Sequence, residues 1–190
     1  MFAAFRSDPV GKAAMLAYHR VVEQARQPIF FAEYGVPDTV DGRFELICLH
    51  AFLYLHRLKR ERPLAAPLAQ RFFDTMFADF DRSLREMGTG DLSVGRHIKR
   101  MAQGFYGRIQ AYDAGLAGDD TELGGALLRN LYGTAPPAEA ALETMAAYLR
   151  REDAGLRDAD ATELLAGRVG FGPPPQPKDI PSAPEQRVAS

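Results

Sequence analysis

The sequence predicts an all-α fold: a single compact helical domain of about six to seven helices, with a central hydrophobic helix and a helical hairpin. Three observations predict it. Apolar residues recur at the helical period through most of the chain. Helix-capping patterns stand where four of the helices should start. No stretch alternates apolar and polar residues as a half-buried strand would. With 190 residues, 46% apolar and 25% charged, the chain can also bury one sizeable core.

Asp8-Pro9 reads as an N-cap followed by proline in the first turn, opening a helix to about Arg26 whose buried side is expected to carry Met15, Leu16, Tyr18, His19 and Val22. Pro28 ends it. Ile29 to Tyr34 follows as a short apolar linker with three aromatic residues, expected to plug the core, and Gly35-Val36-Pro37-Asp38 is a turn by composition. Thr39 or Asp41 then caps the next helix, to about Arg60 or Glu61. From Phe44 to Leu58 its apolar residues occupy every side of the wheel, so this helix should be central and surrounded by others. Cys48 sits in that run as a small core residue, and His50 and His56, about 120° apart around the helix, cannot converge on one ion.

Arg71 to Arg108 reads as the hairpin. Phe72, Phe73, Met76, Phe77, Phe80, Leu84 and Met87 share one sector of the first helix. In the second, Ile98, Met101, Ala102, Phe105, Ile109, Tyr112 and Leu116 share one side, while Arg96, Lys99, Arg100 and Gln103 lie on the other. Gly88-Thr89-Gly90-Asp91 supplies the sharp stop between them. Asp81 with Arg85, and Arg82 with Glu86, are spaced as exposed ion pairs. Further on, Asp119 with Glu122 caps a short helix to about Tyr132, Pro136-Pro137 starts another, and Asp160 with Glu163 a last short one. The helical domain is expected to span 1–171. Residues 172–190, proline-rich and then polar, should form a disordered tail.

Whole-chain charge is −2, yet unevenly spread: +4 up to Gln110 and −6 from Ala111 onward. That balance argues against a uniformly basic nucleic-acid binder and leaves a basic patch on the first part open, and a helix-turn-helix DNA reader would use a tighter turn. The one cysteine rules out an internal disulfide. No stretch reaches the roughly 18 apolar residues of a spanning helix, so a cytoplasmic location is expected, with the short Met1 to Phe5 run packing on the core or touching a membrane surface. Catalytic patterns are missing: there is no phosphate-binding Gly-Lys-Ser/Thr loop, HExxH, CxxC or nucleophile elbow. Asp74, Asp79 and Asp81 diverge around their helix and cannot form a metal site from it alone.

Two longer segments carry more. Tyr34-Gly35-Val36-Pro37-Asp38-Thr39-Val40-Asp41-Gly42-Arg43-Phe44-Glu45 leads into the hydrophobic helix. Asp81-Arg82-Ser83-Leu84-Arg85-Glu86-Met87-Gly88-Thr89-Gly90-Asp91-Leu92-Ser93-Val94 is followed by Ile98-Lys99-Arg100-Met101 and Phe105-Tyr106-Gly107-Arg108. Both resemble the signatures of the ubiquinol-cytochrome c chaperone family, whose mitochondrial members are assembly factors for respiratory complex III. The resemblance covers roughly Asp8 to Gly170. It implies a helical protein without catalytic residues or cofactor that attends newly made cytochrome b. It also implies, for mitochondrial relatives, a small partner protein and the ribosome. Lacking the long targeted extension of those relatives, the chain is expected to be a bacterial form at the cytoplasmic face of the inner membrane. The client surface is then expected at 88–108, an apolar groove with Arg96, Lys99, Arg100 and Arg108 at its rim and Tyr106 as an aromatic contact. The alternative reading is a ribosome- or RNA-binding module using the same basic face, distinguished by a steep salt dependence.

Overall fold

A computed structural model of the protein describes residues 8–88, 90–133 and 135–176, without the side chains of Asp91 and Leu92. The Met1 to Phe5 run, and the tail beyond Gln176, lie outside the described residues. Six longer helices and two single turns follow in order: α1 (Pro9–Ala25), α2 (Ile29–Ala32), α3 (Val40–Leu58), α4 (Ala66–Glu86), α5 (Asp91–Ala117), α6 (Asp120–Leu127), α7 (Glu139–Asp158) and α8 (Ala161–Leu165). A 3₁₀ turn extends α3 and a π turn extends α6 to Tyr132. No strand occurs among the described residues.

Local chemistry places the helix starts. The Asp8 carboxylate accepts from Gly11 N, Thr39 Oγ1 from Gly42 N, Asp119 from Glu122 N, and Asp160 from Thr162 N and Glu163 N, each satisfying first-turn donors that the helix itself leaves unpaired. Gly88, at φ 85°, ends α4 with its N–H on Arg85 O. α4 begins at Ala66, five residues before the hairpin was expected to start, because Pro67 sits in its first turn, where no amide is needed.

α3 is the centre. Leu46 to Tyr54 are buried without interruption, and α1, α4, α5, α7 and the π turn all pack on it. The linker after α1 winds into α2 and plugs the core as expected, with Phe30 and Tyr34 buried. α1 departs from expectation. Its buried side is Ala13, Ala14, Ala17, Tyr18, Val21 and Ala25, while Met15 and Leu16 are 49% and 42% exposed and His19 is exposed. Side-chain bulk was the wrong guide here: the alanine face lets the backbone of α1 close onto both α3 and α4. Met87 is likewise exposed, at the turn that closes the hairpin. Arg82 pairs with Asp79 rather than Glu86, because Asp79 is already held in place by the Tyr18 hydroxyl, which donates to it at 2.7 Å.

One polar lock crosses the core. His50 is fully buried; its Nδ1 donates to Leu46 O (2.8 Å), since a carbonyl can only accept, so the neutral ring accepts at Nε2 from the Tyr148 hydroxyl (2.8 Å). Gln24 Nε2 donates to Tyr148 Oη and to Gly172 O, both at 2.9 Å, and Gly172 N donates to Glu152 (2.7 Å). α1, α3, α7 and the chain after α8 are thereby tied together. Contacts therefore continue beyond Phe171 through the buried Pro175, past the expected end of the domain.

Candidate functional site

A groove opens where the end of α3, the turn after it, the start of α4 and the second half of α5 meet. Its volume is about 280 Å³. Phe73 and Phe105 form the wall, with ring centroids 6.1 Å apart, and Tyr106 stacks on Phe73 at 5.8 Å and 28°. Leu55, Leu58 and Ile109 add aliphatic surface, and Ala65, Ala66 and Ala69 keep one side shallow enough for another backbone to approach. Arg62 and Lys59 stand at the edge; Lys59 is engaged by Asp113, which also accepts from His56 Nδ1 at 2.7 Å. Such a surface can hold apolar side chains and offers no group poised for bond making.

A larger cleft, about 780 Å³, lies between α1 and α4, and part of its charge is engaged: Asp79 accepts from Tyr18 across it and pairs with Arg82 on its own helix, while Arg71 pairs with Asp8 at the start of α1. That cleft reads as a helix seam. Among the described residues no cluster of His, Cys, Asp and Glu could hold a metal ion. Cys48 is buried beneath α5 and its thiol is pushed well above the usual range by burial, which leaves it unreactive.

The five expected surface residues separate. Tyr106, 58% exposed, lies on the groove. Arg96, Lys99 and Arg100 are exposed on the outer face of α5, nearer its start, and do not line the groove. Arg108 is not a rim residue. It turns inward to grip both carboxylate oxygens of the buried Glu45 and lies over the Phe44 ring at 5.5 Å. Around the helix Arg108 projects roughly 140° from the centre of the basic face, toward α3. The bond to Glu45 raises the Arg108 guanidinium further, while burial, opposed by Arg108, holds the Glu45 carboxyl above its ordinary value. Sequence reasoning missed Leu55, Leu58 and the alanines of α4. The three-residue spacing of Ala66 and Ala69, continuing four residues on to Phe73, was the available signal.

Comparison with known proteins points one way. A family model described as Ubiquinol-cytochrome C chaperone matches residues 32–171. The chain is 29% identical over 162 residues to the Xenopus laevis protein named ubiquinol-cytochrome-c reductase complex assembly factor 1, covering 85% of this chain and 81% of that one. It is 28% identical to the mouse protein of that name, over 85% of this chain and 55% of the other. To Saccharomyces cerevisiae protein CBP3, mitochondrial, it is 27% identical over 76% of this chain and 44% of that one. The chain thus spans about half the length of the mouse and yeast proteins. The crystal structure of the Cbp3 homolog from Brucella abortus superposes with a TM-score of 0.78 at 38% identity, over 88% of this chain and 93% of that one.

Proposed function

The chain belongs to the ubiquinol-cytochrome C chaperone family, a family of assembly chaperones rather than enzymes, and from that premise we propose that it assists assembly of the cytochrome bc complex by binding newly made cytochrome b. The observation that carries this reading is the match over 32–171, which takes in the central helix, the hairpin and the groove between them.

The groove suits such a client. A membrane protein awaiting assembly exposes apolar helices, and its cytoplasmic loops are rich in Lys and Arg. The half-buried Phe73 and Ile109, backed by the buried Phe105, would take the helix side chains, with Tyr106 closing over them. The acidic second half of the chain would meet the basic loops, whereas Arg96, Lys99 and Arg100 carry the same sign as those loops. Among the described residues no helix is long and apolar enough to cross a membrane. In this reading the client is met at the cytoplasmic face of the membrane of a bacterial cell. The relatives' names lend no support to an RNA-binding role.

Ala69→Glu tests the groove. It places a carboxylate against Phe73 and Phe105 on a half-buried position, where an apolar client could not solvate it. Tagged protein should then recover at least about tenfold less cytochrome b from solubilised membranes, with an unchanged helical circular dichroism signal. Recovery equal to the parent chain would remove the groove from the account.

A further inference from the structure

We propose that the outer face of α5 is a docking surface for an anionic lipid bilayer. Arg96, Lys99, Arg100, Gln103, Tyr106, Gly107 and Gln110 fall within an arc of about 120° on the helix, and all are exposed. No acidic residue shares that arc. Arg96, Lys99 and Arg100 form no ion pair or hydrogen bond with any described residue, whereas Arg43, Arg57, Arg71, Arg82, Arg85 and Arg108 each hold a carboxylate. The arc is therefore a strip some 20 Å long whose first turn, about 6 Å, carries three uncompensated positive charges and whose remainder is neutral.

The strip ends on apolar surface. Tyr106 stacks on Phe73 yet stays 58% exposed, so an amphipathic ring is presented beside the cations, as aromatic residues are at a membrane interface. It shares the groove with the exposed Arg62, and two residues beyond, Leu64 is 72% exposed. A lipid surface accounts for both halves of this composition: headgroups of negative charge attract the cations, and the interfacial layer accepts Tyr106 and Leu64. A nucleic acid would use the cations and leave Leu64 in water. A membrane-protein client is disfavoured at the strip itself, since its cytoplasmic loops are also positive. Because Tyr106 belongs to strip and groove alike, docking would bring the groove to the membrane surface. The proposal needs no client, so it stands apart from the reading above.

The test is flotation of the purified full chain with vesicles of phosphatidylcholine containing phosphatidylglycerol, against vesicles of phosphatidylcholine alone. Binding is expected only to the anionic vesicles, falling as salt is added, and weakened at least tenfold in the Arg96→Glu, Lys99→Glu, Arg100→Glu triple variant, with about a fivefold loss for any one of the three. All three positions are exposed, so the variant should keep its helical signal. Equal flotation with both vesicle types, or flotation undiminished in the triple variant, would overturn the proposal. So would salt-sensitive binding to a single-stranded RNA with none to the vesicles, which would make the strip a nucleic-acid surface. Loss of cytochrome b capture in the triple variant, with vesicle binding intact, would assign the strip to the client and equally overturn it.

Discussion

Replacing Arg108 by alanine is expected to lower the stability of the fold by about 3 kcal/mol, because it strands the Glu45 carboxylate against α5 with no counter-ion. The side chains are 20% and 11% exposed, so water relieves little of that cost, and the lost stack over Phe44 adds to it. Urea unfolding followed by circular dichroism at neutral pH measures the difference. Changing both partners, Arg108→Met with Glu45→Gln, should recover a large part of the loss, since no charge then remains buried. A single-variant loss below about 1 kcal/mol would mean that the pair behaves as an exposed one.

Acid is expected to destabilise the fold through His50 before it reaches the surface carboxylates. Burial lowers the His50 pKa from 6.5 to about 4, against a smaller opposing effect of Leu46 O. The unfolded chain therefore binds the proton more readily, so stability is fully present above pH 6.5 and is lost as pH falls toward 4. The depression corresponds to about 3 kcal/mol. Glu45 runs the other way and offsets part of this, because its folded pKa is raised. Asp38, Asp160 and Glu163 are held low by Arg43, the Thr162 amide and Arg168 respectively, and they act only at lower pH. Nuclear magnetic resonance titration of the His50 ring, alongside urea unfolding at several pH values, should show a ring that stays neutral at pH 5. A ring titrating near 6.5 would contradict the buried lock.

Much of the architecture was legible because it is written in short-range chemistry. Asp8 with Pro9, Thr39, Asp119 and Asp160 announce helix starts through side chains that reach amides two or three residues away. The all-round apolar run of α3 likewise announces a helix with neighbours on every side. Choices among partners were less legible. Met15 and Leu16 outweigh Ala13, Ala14 and Ala17 on any hydropathy scale, yet close packing onto two helices selects the small side chains. Arg108 reads as one more cation in a basic helix until Glu45, 63 residues earlier, is seen to lie beneath it. The groove is the extreme case, since Leu58, Ala69 and Tyr106 belong to three elements and meet only in the folded chain. By contrast the basic strip was visible directly, because one helix face is a local property; what it faces was not.

We propose that this chain promotes assembly of respiratory complex III. The most direct test is the amount of assembled complex in cells that make it, measured with and without this protein by native electrophoresis and by the b-type haem absorbance of their membranes. Removing the protein is expected to deplete the assembled complex; the parent chain should restore it, and the Ala69→Glu variant should not. Assembled complex at the parent level in cells without the protein would contradict it.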